Sequence, residues 1–398
     1  MSQDKRLDIA LYGATGFTGG LVAEYLAGVA RKRGLRWALA GRTRDKLEAV
    51  KGKLLRYGAS EVEILIADSG DAQSLRALAE RTRVVITTVG PYAKYGEPLV
   101  KACAEAGTDY VDLTGEPGFV DTMIDRYDGV ARRTGAKIVH ACGFDSIPHD
   151  MGAYFTLKAL RRRLGAAERD SAAVKIEGFV RANGSFSGGT WHSAVTAMGN
   201  ARSDEAHRKR RASLRTAEDG RKVRGVQPSV RYRKELGYWA VPMPTIDPQI
   251  VLRSARALPE YGPEFQYGHY MGLRHAYQAA GIVVAAGVVF SLAQVKPTRE
   301  LLLKLRNPGE GPDRAAIAKG WFTVTFQGQA GGHRVTCEVR GGDPGYGDTA
   351  KMLSEAALCL AHDRASLPAT SGVLTTVVAF GDILIPRLEA AGINFCER

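Results

Sequence analysis

The chain has 398 residues, 45% hydrophobic and 24% charged, which is enough apolar side chain for two or three buried cores and excludes a disordered protein. Its 46 glycines follow no collagen period and Pro numbers only 16, which excludes fibrous and low-complexity classes. The net charge of +13 is unevenly spread: residues 151–260 hold 21 basic against 10 acidic side chains, while 1–150 hold 21 against 20.

The opening Met-Ser-Gln-Asp-Lys-Arg leads straight into an apolar run, without the pattern of a secretory leader. Six short apolar runs follow: Leu7–Tyr12, Trp37–Ala40, Glu63–Ala67, Val84–Val89, Tyr110–Leu113 and Lys137–Ala141. Amphipathic stretches separate them, one of which places Leu21, Val22, Tyr25, Leu26 and Val29 on a single helical face. Parallel strands covered on both faces need such continuous apolar runs. The rhythm predicts an α/β fold, with a Rossmann-type doubly wound parallel sheet over residues 1–148.

After Pro148 the rhythm changes. Met151–Leu164 reads as a helix, Ala173–Ala182 as a strand, and residues 201–235 as an exposed basic helix and loop. Trp321–Gln327 and His333–Val339 read as an antiparallel hairpin, and Thr349–His362 as a helix. Residues 149–398 are expected to form an α+β substrate or dimerisation domain. The segment from about 365 to 398 is a candidate to pack back on the first domain. Between His275 and Val295 there is no Asp, Glu, Lys or Arg. That stretch fits a buried core or interface helix, a segment dipping into a lipid surface, or a span.

The first strand runs into Gly13-Ala14-Thr15-Gly16-Phe17-Thr18-Gly19 and then a helical pattern. In this context Gly13 permits the tight turn, Gly16 lets the backbone approach a pyrophosphate, and Gly19 lets the helix pack close. Thr15, Phe17 and Thr18 complete the expected dinucleotide turn. The second strand ends in Gly41-Arg42-Thr43-Arg44, with no acid until Asp45. Arg42 and Arg44 suit a 2′-phosphate and Thr43 offers a hydroxyl, so NADP is favoured over NAD. Further strand ends should border the same ligand. Asp68 is expected near the adenine, and Gly90, Pro91 and Tyr92 beside the ribose and nicotinamide. Glu116 follows the fifth strand, and Asp145 or Ser146 is expected to cap the next helix.

Gly13–Gly20, Ala40–Arg42, Val89–Tyr92, Asp109–Glu116 and Gly143–Pro148 resemble the saccharopine dehydrogenase-like oxidoreductases. Within that group the chain is most similar to the trans-acting enoyl reductases of lipid and polyketide synthesis. The resemblance is dense over residues 6–150, weakens through the basic middle, and returns at Gly345–Lys351 and Gly372–Thr375. Thr376 stands where the family has Pro. The resemblance implies NADPH-dependent reduction of a carbon–carbon double bond in an acyl chain held by a synthase. The alternatives are a saccharopine-type enzyme acting on a carbon–nitrogen bond of an amino acid, or a non-catalytic nucleotide-binding scaffold.

Enoyl reduction requires a donor to the thioester carbonyl and a proton source. Tyr92, Tyr346 and His192 are the candidates, Tyr92 first, with Tyr95 and Ser187 behind them. Eight dispersed histidines without an i, i+4 pair and five cysteines without a C-x-x-C pair give no metal set. The expected partners are an acyl thioester, an acyl-carrier domain that presents it, a second copy of the chain, and a lipid surface. Nucleic acid is not expected, since the basic residues carry no recognised motif. The cysteine usage fits the cytoplasm, with membrane association left open.

Overall fold

The computed structural model describes residues 7–58, 62–183, 191–192, 195–196, 198–199, 220–305 and 311–398. The first strands in chain order are β1 (Leu7–Tyr12), β2 (Trp37–Gly41), β3 (Glu63–Ile66), β4 (Thr82–Thr87), β5 (Asp109–Val111), β6 (Lys137–Val139) and β7 (Val174–Asn183). They continue as β8 (Lys222–Gly225), β9 (Arg231–Arg233), β10 (Tyr238–Pro242) and β11 (Glu264–Leu273). The last are β12 (Trp321–Ala330), β13 (His333–Gly341), β14 (Gly372–Leu374) and β15 (Asn394–Glu397).

The chain divides into two compact units. The first holds Met1–Phe144, Gly309–Arg314 and Gly345–Ala391. Its seven strands lie in the order β14-β6-β5-β4-β1-β2-β3, every neighbouring pair parallel. All six residues of β1 are buried, as its unbroken apolar run requires. The chain winds outward one way through β2 and β3, then the other way through β4, β5 and β6. That reversal opens a crevice beyond the carboxyl ends of β1 and β4.

The boundary falls at Phe144/Asp145, and the return begins at Gly345 rather than near residue 365. Among the polar contacts that hold the returning segment, two centre on fully buried charged side chains. Glu355, fully buried on the helix Gly347–His362, accepts a hydrogen bond from Tyr25 at 2.8 Å and pairs with Arg33 and Arg387, each at 3.1 Å. Lys137, fully buried at the start of β6, donates to the Pro368 carbonyl at 2.7 Å and reaches Thr370 and the Ala379 carbonyl at 3.4 Å. Thr376, at the family's proline position, opens the short buried helix Thr376–Phe380.

The second unit holds the remaining residues, Asp145–Pro308, Ala315–Pro344 and Gly392–Arg398. Its mixed sheet has the order β15-β13-β12-β7-β11-β10-β9, with β8 also paired to β11. The predicted hairpin is β12–β13. The helices Ile147–Arg163 and Asp247–Ala257 pack against this sheet. Residues 201–219 lie outside the described residues. In place of the exposed helix and loop expected up to 235, residues 222–233 supply β8 and β9.

Several basic residues counted there as a charged face have internal partners. Arg231 and Arg233 flank the buried Glu177 carboxylate of β7. Arg221 donates to the carbonyls of Ala255, Arg256 and Leu258 at the end of Asp247–Ala257, where a helix leaves acceptors unfilled.

The apolar stretch forms the helix Ala276–Ala293, and the core reading fails for it. Only 11% of it is buried, with Tyr277 71%, Val284 65% and Val288 52% exposed.

Burial, and then the neighbouring Arg364, lowers the Lys137 ammonium to about 8. Between that value and the ordinary lysine value of about 10.4 the unfolded chain binds more protons than the native one, so stability rises with pH across the window. Relative to Lys137→Met, which also loses the anchor's hydrogen bonds, the wild type should gain up to about 3 kcal/mol of stability between pH 8 and about pH 10.4 in paired urea-unfolding curves. A difference between the two proteins that stays constant across this range would disprove the linkage.

Candidate functional site

The glycine turn at the end of β1 is built by backbone contact. Gly13 has φ +92°, and its N–H donates to the Ala40 carbonyl of β2 at 3.0 Å. A Cβ at Gly19 would stand 2.1 Å from the Gly13 carbonyl oxygen, so no side chain fits there. The helix Phe17–Arg33 therefore starts directly on the turn, with Gly16 at its N-cap and no side chain filling the cap. Thr15 and Gly16 are exposed, Phe17 and Thr18 half-buried. The free N–H groups of this helix end and its dipole favour a phosphate. Tyr346 packs edge-on against Phe17 with ring centroids 4.9 Å apart and is 3% exposed. The structure thus places this catalytic candidate beside the turn.

Arg42, Thr43 and Arg44 are exposed beyond β2. Thr43 is the N-cap of Arg44–Leu54, but its hydroxyl makes no cap bond. Arg44 stands 3.9 Å from Glu48, a loose exposed pair. Asp68 follows β3, and its carboxylate accepts the Gly70 N–H at 2.8 Å. Burial raises the Tyr12 phenol pKa, with Ser69, Asp68 and Arg42 as neighbours, so the exits of β1, β2 and β3 gather in one place. The sheet order brings these predicted cofactor residues together.

Gly90 and Pro91 lead into the short helix Tyr92–Tyr95. Tyr92 differs from its expected role. Its hydroxyl donates to the Thr87 carbonyl at 3.2 Å and accepts the Leu113 N–H at 3.1 Å, tying the exit of β4 to that of β5. Burial and then Asp112 push its phenol pKa well up. A hydroxyl so engaged is a strut rather than a proton donor. Glu116 accepts the N–H groups of Tyr92 and Ala93 at 2.9 and 2.8 Å.

Beside this strut lies a group that the sequence pattern did not single out. Asp112, fully buried, accepts from Tyr110 at 2.9 Å, from the backbone of Thr114 and Ala141, and pairs with His140 Nδ1 at 2.7 Å. Ala141 is at φ +59°, a strained value for a residue with a Cβ. Both Asp112 and His140 follow parallel strands, where ligands of such sheets are met. Only tertiary pairing of β5 with β6 could reveal them.

In the second unit Ser146 holds the N-cap of Ile147–Arg163, yet neither it nor Asp145 makes a side-chain cap bond. Burial and then Asp247 raise the half-buried Asp145 to about 7. His149, Asp247 and His269 converge, and burial lowers the two imidazoles to about 3 and about 4. Spacing along the chain gave no such set, because its members come from two helices and a strand. His192 is half-buried on a short helical stretch, and Ser187 lies outside the described residues.

Residues 9–139 match the family model of the saccharopine dehydrogenase NADP-binding domain. A Mycobacterium tuberculosis protein named for trans-acting enoyl reduction is 40% identical over 98% of this chain and 97% of its own length. A Mycobacterium bovis trans-acting enoyl reductase is 37% identical over the same shares of the two chains. Among solved structures, saccharopine dehydrogenase from Saccharomyces cerevisiae shares the fold at TM-score 0.54 and 15% identity, over 98% of this chain and 99% of that one.

Replacing Arg42 by Ala should raise the Kd for NADPH about 10- to 100-fold, the worth of a charge-assisted contact, and leave NADH nearly unchanged. Equal losses for the two nucleotides in fluorescence titration would remove Arg42 from the 2′-phosphate.

Proposed function

The chain belongs to the trans-acting enoyl reductase family, and from that premise we propose that it reduces the double bond of an acyl thioester presented by a separate carrier protein. The observation that carries this reading is likeness to enoyl reductases along 98% of the chain, joined to a dinucleotide turn flanked by arginines. The protein is an NADP-dependent oxidoreductase. The residues fit the cofactor, since the Gly13–Gly19 turn leaves helix N–H groups uncapped and Arg42, Thr43 and Arg44 stand exposed without an acid at the end of β2.

When bound, NADPH supplies hydride from its nicotinamide. The chain's part is to hold and orient. The glycine turn would take the pyrophosphate, Arg42 and Arg44 the 2′-phosphate, Asp68 the adenine side, and Gly90–Pro91 the ribose. With the Tyr92 hydroxyl engaged by backbone, Tyr346 and His192 remain the candidates from the sequence for polarising the thioester and supplying the α-proton.

The exposed helix Ala276–Ala293 supports a second element of the reading, docking on an anionic lipid surface in the cytoplasm. It carries no charged side chain on any face, and an interface with one partner would cover only one side. Leu301 and Leu305 extend the apolar surface, each about two-thirds exposed, while Trp191 and Arg299 tie its base to the unit. Among the described residues Arg274, Lys296 and Lys304 flank the helix on the exposed surface, with Glu300 as an acid beside them, a charge pattern suited to anionic headgroups.

NADPH consumption with an enoyl thioester on an acyl-carrier protein should exceed that with imino acids by about tenfold or more in kcat/KM. The reverse preference would favour the saccharopine-type alternative. In vesicle co-sedimentation the protein should bind phosphatidylglycerol vesicles, and Val284→Asp with Val288→Asp should abolish binding. A homodimer in light scattering that the same substitutions dissociate, without vesicle binding, would assign the helix to a second copy instead.

A further inference from the structure

Three side chains of the second unit converge at a place that the cofactor site does not use. His149 lies in the first turn of Ile147–Arg163, Asp247 opens Asp247–Ala257, and His269 lies within β11. They are 1%, 2% and 6% exposed. His149 Nε2 stands 3.4 Å from Asp247 Oδ1, and His269 Nε2 stands 3.5 Å from Asp247 Oδ2. Charge-assisted hydrogen bonds close to about 2.7–2.9 Å, so these pairs are too far apart to be bonded well. Nitrogen and oxygen ligands at about 2.0–2.1 Å from a tetrahedral metal stand roughly 3.3–3.4 Å from one another, which is the spacing seen.

A second observation points the same way. Asp247 Oδ1 and His269 Nε2 are buried and make no hydrogen bond within the chain, a state that native interiors rarely leave uncompensated. The other nitrogen of His269 faces the Tyr267 hydroxyl at 3.2 Å. In the tautomer that donates Nδ1–H to Tyr267, Nε2 presents its lone pair towards Asp247. The Thr245 hydroxyl donates to Asp247 Oδ2 and steadies the carboxylate.

We propose that His149, Asp247 and His269 bind one divalent transition-metal ion of the zinc type. Two imidazoles and a carboxylate match the donor chemistry of such ions, and three protein ligands leave a fourth position. Hard cations such as Mg²⁺ are poorly served, since they favour all-oxygen shells.

The test uses the full chain, purified without a histidine tag or chelator and analysed by inductively coupled plasma mass spectrometry. About one equivalent of zinc or a similar ion per chain is expected. After chelation, titration with CoCl₂ should give visible d–d absorption that saturates near one equivalent. Asp247→Asn and His269→Gln should weaken Co²⁺ at least about tenfold, while the exposed His333→Gln control binds as the wild type does. Wild-type protein that is folded by circular dichroism, holds no metal, and shows neither d–d bands nor a Tm shift with Co²⁺ or Zn²⁺ would overturn the site. That outcome would leave a His–Asp–His group that holds no metal, and it decides the matter even if the variants do not fold.

Discussion

The cofactor side of this protein rests on the meeting of two backbones, where Gly19 lies so near the Gly13 carbonyl that a single methyl group would be driven to 2.1 Å from it. Close packing allows the helix Phe17–Arg33 only one seat on the sheet. Its first turn is thereby aimed at the crevice beyond β1 and β4. Its far end delivers Arg33 to Glu355, and Tyr25 midway along it reaches the same carboxylate. One contact therefore sets both the phosphate-facing end and the attachment of the returning segment. The Thr88 hydroxyl, donating to the Gly13 carbonyl at 3.1 Å, completes the seat.

What could be read from sequence was what local chemistry decides. Six apolar runs gave six of the seven parallel strands within a few residues, because burial on both faces leaves a continuous signal in all of them but the edge strand β3. The glycine turn and the arginines after β2 were equally plain, since the strand–turn–helix context is contiguous. The return of Gly345–Ala391 was only partly legible. Its membership depends on Glu355 meeting Tyr25 and Arg33, and on Lys137 meeting residues 368–379, none of which leaves a local pattern. The same holds for Asp112 with His140, and for His149, Asp247 and His269, whose partners are brought together only by sheet and helix packing.

Two misreadings share one physical origin, which is that composition does not report what covers a side chain. Arg231 and Arg233 counted as part of a basic face, yet they offset the buried Glu177 of β7 in the same sheet. The helix Ala276–Ala293 has the composition of a core helix, yet most of it is open. Tyr92 is similar in kind: a phenol near a strand end suggests acid chemistry, but two backbone groups already claim its hydroxyl.

The interleaving of the two units sets an order on how the chain can be made. At ~5–20 residues per second, on the order of ten to fifty seconds separate the appearance of Phe144 from that of Ala391 on a ribosome. During that interval β6 is an open sheet edge awaiting β14, and Glu355 has not yet arrived to meet Arg33 and Tyr25. An unpaired parallel edge invites pairing with other chains. The nascent first unit therefore waits, incomplete, while the entire second sheet except β15 is synthesised, and it is in this interval that the protein most needs protection from its neighbours.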